Sequence, residues 1–160
     1  MSVSTDIARS WVRPRTVMRE LLGHGVREDR AIAYIMVACF VVFISRLPGI
    51  QYEVIQGQGE FQRDASYAFF GLMMFAPLLM YLIAAILHIL AKIFGGGGTF
   101  YTARLAFFWV FLASTPALLL YGLTVGLIGP GVEANLVGAI WLVGFVWMLV
   151  PSLWEAEKRS

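Results

Sequence analysis

Apolar residues gather in four long runs, at about 31–47, 67–91, 105–128 and 134–154, separated by short polar or glycine-rich connections. A bilayer hydrocarbon core of ~30 Å takes about 20 helical residues at ~1.5 Å each, and the last three runs reach that length. The first has 17 residues, or about 25 Å. Arg30 and Arg46 flank it and can snorkel to the headgroups to make up the difference. The pattern predicts an all-α bundle of four transmembrane helices.

A shorter pattern precedes the runs. Ile7, Trp11, Pro14, Val17, Met18, Leu21 and Leu22 recur at helical spacing, with Arg9, Arg13, Arg15, Arg19 and Glu20 on the other faces. Pro14 suits a first helical position, where its missing N–H would have no partner anyway. Gly23 and Gly25 then break the pattern, which predicts a helix near 14–23. Two placements fit it. In one it lies in the membrane interface, with Trp11, Arg13, Arg15 and Arg19 contacting the membrane surface. In the other its stripe packs on the inner ends of the bundle. Arg27-Glu28-Asp29-Arg30 then opens the first span with acids at its N-terminal end.

The connections are equally specific. Residues 46–66 form a polar loop with Gln51, Gln56, Gln58 and Gln62, too short for a domain. The second span holds Pro77, a kink position, and Met73, Met74 and Met80. It ends before Gly95-Gly96-Gly97-Gly98, which cannot continue a helix and predict a reversal; Thr99 is a fitting N-cap for the next helix. The P-loop alternative requires Gly-Lys-Ser/Thr after a strand, and nucleotide binding is excluded on that ground. Ser114-Thr115-Pro116 predicts a kink in the third span, with hydroxyls able to re-satisfy the backbone groups that the proline frees. Gly122 with Gly126, Ala113 with Ala117, and Ala134 with Gly138 have the small-xxx-small spacing that permits close helix packing. Gly129-Pro130-Gly131 makes an antiparallel hairpin of the last two spans. Tyr34, Tyr67, Tyr101 and Trp154 fall near span ends and fit an interfacial belt; Trp109, Trp141, Trp147 and Tyr81 lie deeper. No convincing repeat relates the two halves, which counts against an inverted-repeat transporter.

Charge orients this arrangement. Of 12 Lys and Arg residues, only Arg46 and Arg63 fall on one side. Arg9, Arg13, Arg15, Arg19, Arg27, Arg30, Lys92, Arg104, Lys158 and Arg159 fall on the other. Short cytoplasmic loops collect Lys and Arg, so both termini are expected in the cytoplasm. The implied layout is a basic segment at 1–29, a transmembrane domain at 30–155 and a cytoplasmic tail at 156–160. With 59% apolar and 14% charged residues and a mean hydropathy of +0.76, the chain departs from ordinary soluble composition. The net charge of +2 is not a nucleic-acid footprint, because the basic residues sit beside apolar spans; membrane lipids are the expected partners. The single Cys39 has no partner in the chain. The first run lacks a small-x-small cleavage pattern and reads as an uncleaved signal anchor.

Candidate chemistry is sparse. His88 is one turn from Lys92, which favours an interfacial imidazole. With Ser114 and Thr115 it makes the one candidate polar site. His24 and His88 lack a visible carboxylate or cysteine partner, so no metal or other cofactor is expected. Glu133 suits the start of its helix. No nucleophile–base or acid–base pair is visible, so an enzyme is not expected.

The amphipathic stretch from Trp11 to Leu22, the span ending in Gly95–Gly98-Thr99-Phe100, and the next span with Arg104-Leu105-Ala106 and Thr115-Pro116-Ala117-Leu118-Leu119 together resemble the Yip1-domain family, in a bacterial form. The resemblance covers roughly residues 10–155 and implies a multi-pass protein of the bacterial cytoplasmic membrane. Many members are credited with five spans, so five is the alternative to four. Eukaryotic relatives are associated with secretory-pathway membranes, small GTPases and membrane shaping. The resemblance implies a non-enzymatic protein that organises membrane or binds a lipid, a protein partner or a second copy of itself. The alternative is a small transporter or channel subunit using the kinked second and third spans.

Overall fold

A computed structural model describes residues 2–158; Arg159 and Ser160, the end of the expected tail, lie outside the described residues. The elements are α1 (Val3–Val12), α2 (Pro14–Gly23), α3 (Glu28–Ile55), α4 (Phe61–Phe70), α5 (Ala76–Ile93), α6 (Phe100–Ile128) and α7 (Val132–Lys158). A π-helical stretch, Gly71–Phe75, joins α4 to α5 without a break. Among the described residues all regular structure is helical. Four helices are long and apolar enough to cross a membrane: α3, the continuous helix Phe61–Ile93, α6 and α7.

The spans run longer than the apolar pattern indicates. The first does not stop at 47 but passes through Pro48 to Ile55, so the polar loop expected over 46–66 shrinks to residues 56–60. Proline inside a helix removes one hydrogen bond and crowds the preceding turn, but here the surrounding packing favours continuation. A Cβ on Gly122 would collide with the Ser45 backbone, and one on Gly126 with Pro48. The α3 backbone around its proline thus lies directly on the glycine face of α6. Pro77 is accommodated differently: the π-helical stretch lies immediately before it, where the missing N–H leaves the Met73 carbonyl without its α-helical donor.

α6 is the central helix, packed against α1, α3, α5 and α7. Its first half is buried on every side: Leu105 through Thr115 are all buried, including the successive aromatics Phe107, Phe108 and Trp109. The second span is peripheral, and neither α4 nor the π-helical stretch contains a buried residue. Thr99 caps α6 through a reciprocal capping box with Thr102, satisfying two N-terminal amides.

Candidate functional site

Two features at the basic end of the bundle hold its unusual chemistry: the N-terminal hairpin, and the glycine reversal with the charged groups beneath it. In the hairpin, Arg13 interrupts the helix with non-helical backbone angles and Pro14 restarts it. The apolar stripe faces protein, with Val17, Met18, Leu21 and Leu22 all buried in the main core. α2 follows α7 toward its C-terminal end: residues 12–16 adjoin Val146, Trp147, Val150 and Pro151, and Arg19 Nε donates to Glu155 Oε1 at 2.8 Å. Hydrogen bonding to that carboxylate raises the Arg19 pKa further.

The Trp11 indole is turned into the bundle. Its Nε1 donates to the Ala113 carbonyl at 3.0 Å, and its ring fills the space where a Cβ on Gly144 would stand, 2.6 Å from Cζ3. Gly144 lies 14 residues from Lys158, or about 21 Å along α7. The indole therefore reaches halfway down the bundle, where it buries more apolar area against helices than an interface offers. Beside it, Trp109 Nε1 donates to Ser10 Oγ at 2.9 Å, and that hydroxyl donates to the Asp6 carbonyl at 2.7 Å. The hairpin is pinned to α6 by two indole hydrogen bonds. Arg9 bridges Asp6 and Glu20. The hydrogen bond from Arg9 holds the Glu20 carboxyl below its ordinary value. Arg13 and Arg15 are exposed, on either side of Pro14.

At the glycine reversal, His88 Nδ1 lies 2.8 Å from Glu157 Oε1, with both side chains buried. The other carboxylate oxygen accepts from the Gly98 amide at 3.0 Å, and the Gly97 amide donates to the Glu157 carbonyl at 2.8 Å. The His88 ring packs on Phe100 with centroids 4.4 Å apart. The run of glycines folds down onto this acid. A Cβ on Gly96 would stand 2.7 Å from Glu157 Oε2, and one on Gly98 would stand 2.7 Å from the Ala156 carbonyl. Gly95, with φ +87°, supplies the left-handed residue that ends α5. His88 is therefore buried against a carboxylate at the basic end of the bundle. An acid–base pair exists that the sequence reading lacked. The legible signal was Glu155 and Glu157 in the last turn of a helix, where the dipole disfavours acids unless a partner holds them.

The structure does not unite His88 with Ser114 and Thr115. His88, on α5, packs beside Phe100 at the start of α6, and Ser114 is 14 residues beyond Phe100, about 21 Å along the helix. Both hydroxyls are buried and used locally. Ser114 Oγ donates to the Phe111 carbonyl at 2.8 Å, and Thr115 Oγ1 to the Leu112 carbonyl at 2.7 Å. The latter is the group that Pro116 leaves without a helical donor. Gly122 and Gly126 contact the first span, while a Cβ on Gly138 would stand 3.4 Å from the Tyr121 ring of α6. Of the supposed interfacial aromatics, Tyr67 and Trp154 are exposed. Tyr101 is buried and accepts from the Arg27 amide at 2.9 Å, and Tyr34 packs edge-on against Trp109. Among the described residues no group of acids, cysteines and histidines could hold a metal ion.

Four membrane-length helices, three of them packed around the fourth, α6, define a multi-pass helical membrane protein. Residues 8–160 match the model of the Yip1 domain, and the chain belongs to that family. The match takes in the hairpin from Ala8 onward, so α2 is part of the domain and not an appendage. No curated protein and no solved structure matches the chain.

Proposed function

We propose that this protein is a non-enzymatic organiser of the bacterial cytoplasmic membrane, with its basic end and both termini in the cytoplasm. The observation that carries this reading is the asymmetry of the bundle. α1 and α2 lie against only the basic-end halves of α6 and α7, between Trp109 and Ala113 on one and Gly144 and Glu155 on the other. The hairpin adds two helices to the cross-section of one leaflet and none to the other. Such a wedge favours a bilayer that is convex on the basic side, and concentrates the protein where that curvature exists. The basic charge at the same end draws anionic lipid toward it.

The test is to reconstitute the labelled full-length chain into neutral phosphatidylcholine vesicles and measure protein density against vesicle diameter. Molecules with the basic end outward should grow denser as vesicles shrink, and those with the opposite orientation sparser. Densities independent of diameter in both orientations would remove the wedge.

The buried His88–Glu157 pair supports a second reading, a small transporter or channel subunit with this pair at its inner mouth. Solute or proton flux into sealed vesicles that vanishes in His88→Ala would favour it.

A further inference from the structure

The turn of the hairpin and the side of α7 enclose a lateral groove of about 570 Å³, lined by Val12, Arg13, Pro14, Arg15 and Thr16 on one wall and Val146, Trp147, Val150 and Pro151 on the other. Its α7 wall belongs to a helix apolar and long enough to span a bilayer. The wall continues along that helix as one exposed apolar stripe: Val150, Trp147, Val143 and Ile140, spaced three or four apart. A surface of this kind takes a hydrocarbon chain.

The opposite wall is cationic, and its charge is not neutralised within the protein. Arg9 pairs with Asp6 and Glu20, Arg19 with Glu155, Arg27 with Asp29 and Arg104 with Glu28. Among the described residues neither Arg13 nor Arg15 has a carboxylate within ion-pair distance. Both adjoin residues 7 to 12 positions short of Lys158 on α7, about 10–18 Å along the helix from its charged end. A guanidinium at that depth is costly without a counter-charge, and its planar donor fork matches phosphate. We infer that the groove is a binding site for an anionic phospholipid, with its phosphate held between Arg13 and Arg15 and one acyl chain along the Val150–Ile140 stripe. The inference rests on the reading of the hairpin as lying within the leaflet, and deepens it by naming the lipid class that end retains.

The full-length chain is placed in phosphatidylcholine bilayers containing an equal, small fraction of chain-brominated lipid, either phosphatidylglycerol or phosphatidylcholine. Bromine quenches nearby indoles, and the signal of Trp147 is obtained by subtracting that of Trp147→Phe. Brominated phosphatidylglycerol should quench Trp147 as though enriched roughly thirtyfold, the scale set by two basic residues near an anionic headgroup. The double variant Arg13→Gln/Arg15→Gln should bring it to the phosphatidylcholine level, while Arg46→Gln, an exposed arginine elsewhere, should leave it intact. Equal quenching by the two lipids in the unmodified chain overturns the site, as does a preference that survives the double variant. Curvature sorting in neutral vesicles does not use these arginines. A wedge that still sorts while the lipid preference is absent would sink the lipid site and spare the hairpin reading; loss of sorting would remove the reading beneath both.

Discussion

The two halves of α6 have similar apolar sequences and opposite surroundings. From Leu105 to Thr115 every residue is buried, whereas beyond Pro116 Leu120, Leu123 and Leu127 are exposed at 57%, 52% and 80%. The first half is covered by the N-terminal hairpin, and the second presents its open face to lipid. The difference teaches that an apolar run in a membrane protein specifies an apolar neighbour without saying which, because lipid tails and leucine side chains are equally apolar. The halves are also held by different means. Near the basic end, indole hydrogen bonds and charge pairs fix the hairpin and the glycine reversal. Toward the far end, Gly122 and Gly126 let α3 and α6 touch backbone to backbone.

The sharpest way to break the comparison is to remove the hairpin's deepest anchor. Trp11→Ala should cost about 3 kcal/mol of hairpin docking, the low end for truncating a packed tryptophan, because the indole is partly buried. Limited proteolysis should then cut between residues 2 and 26 while the four spans stay protected. If the hairpin remains as protected as before, Trp11 is not its anchor. At the other end, Gly122→Ala should lower the midpoint of denaturation in detergent, by about 2 kcal/mol from overpacking against Ser45. Gly138→Ala, whose added methyl meets only the Tyr121 ring at ordinary contact distance, should leave that midpoint nearly unchanged.

A double-mutant cycle of His88→Ala and Glu157→Gln should give a coupling of about 1.5 kcal/mol, the range for hydrogen bonds involving a charged group. Additive effects would mean that the two side chains do not support one another. The smallest effect concerns Glu20. Its carboxyl titrates below the ordinary value of 4.5 because Arg9 donates to it. Its contribution to hairpin docking is therefore complete above that value and is lost as pH falls through the lower folded one. A carbon-detected titration of Glu20 should show this depression, and Arg9→Gln should return it toward 4.5. Because both groups are solvent-exposed, the unfolding midpoint at neutral pH should barely move.

The existence of four spans, the amphipathic helix beginning at Pro14, the reversal at Gly95–Gly98 and the capping role of Thr99 were legible because each depends on local chemistry: run length, helical spacing, glycine entropy and a side chain beside its own backbone. The basic bias of one end was legible for the same reason, since charge is counted residue by residue. The extension of α3 through Pro48 was not legible, because a proline's local cost is overridden only by the glycine face of a helix some 75 positions away in the chain. Nor could spacing reveal that Trp11 meets Gly144, that Glu157 meets His88, or that Ser114 and Thr115 serve their own helix. Those pairings were decided when α6 became the central helix. Once it is enclosed, each buried polar group must take whichever partner the packing brings within reach, and composition along the chain does not encode that distance.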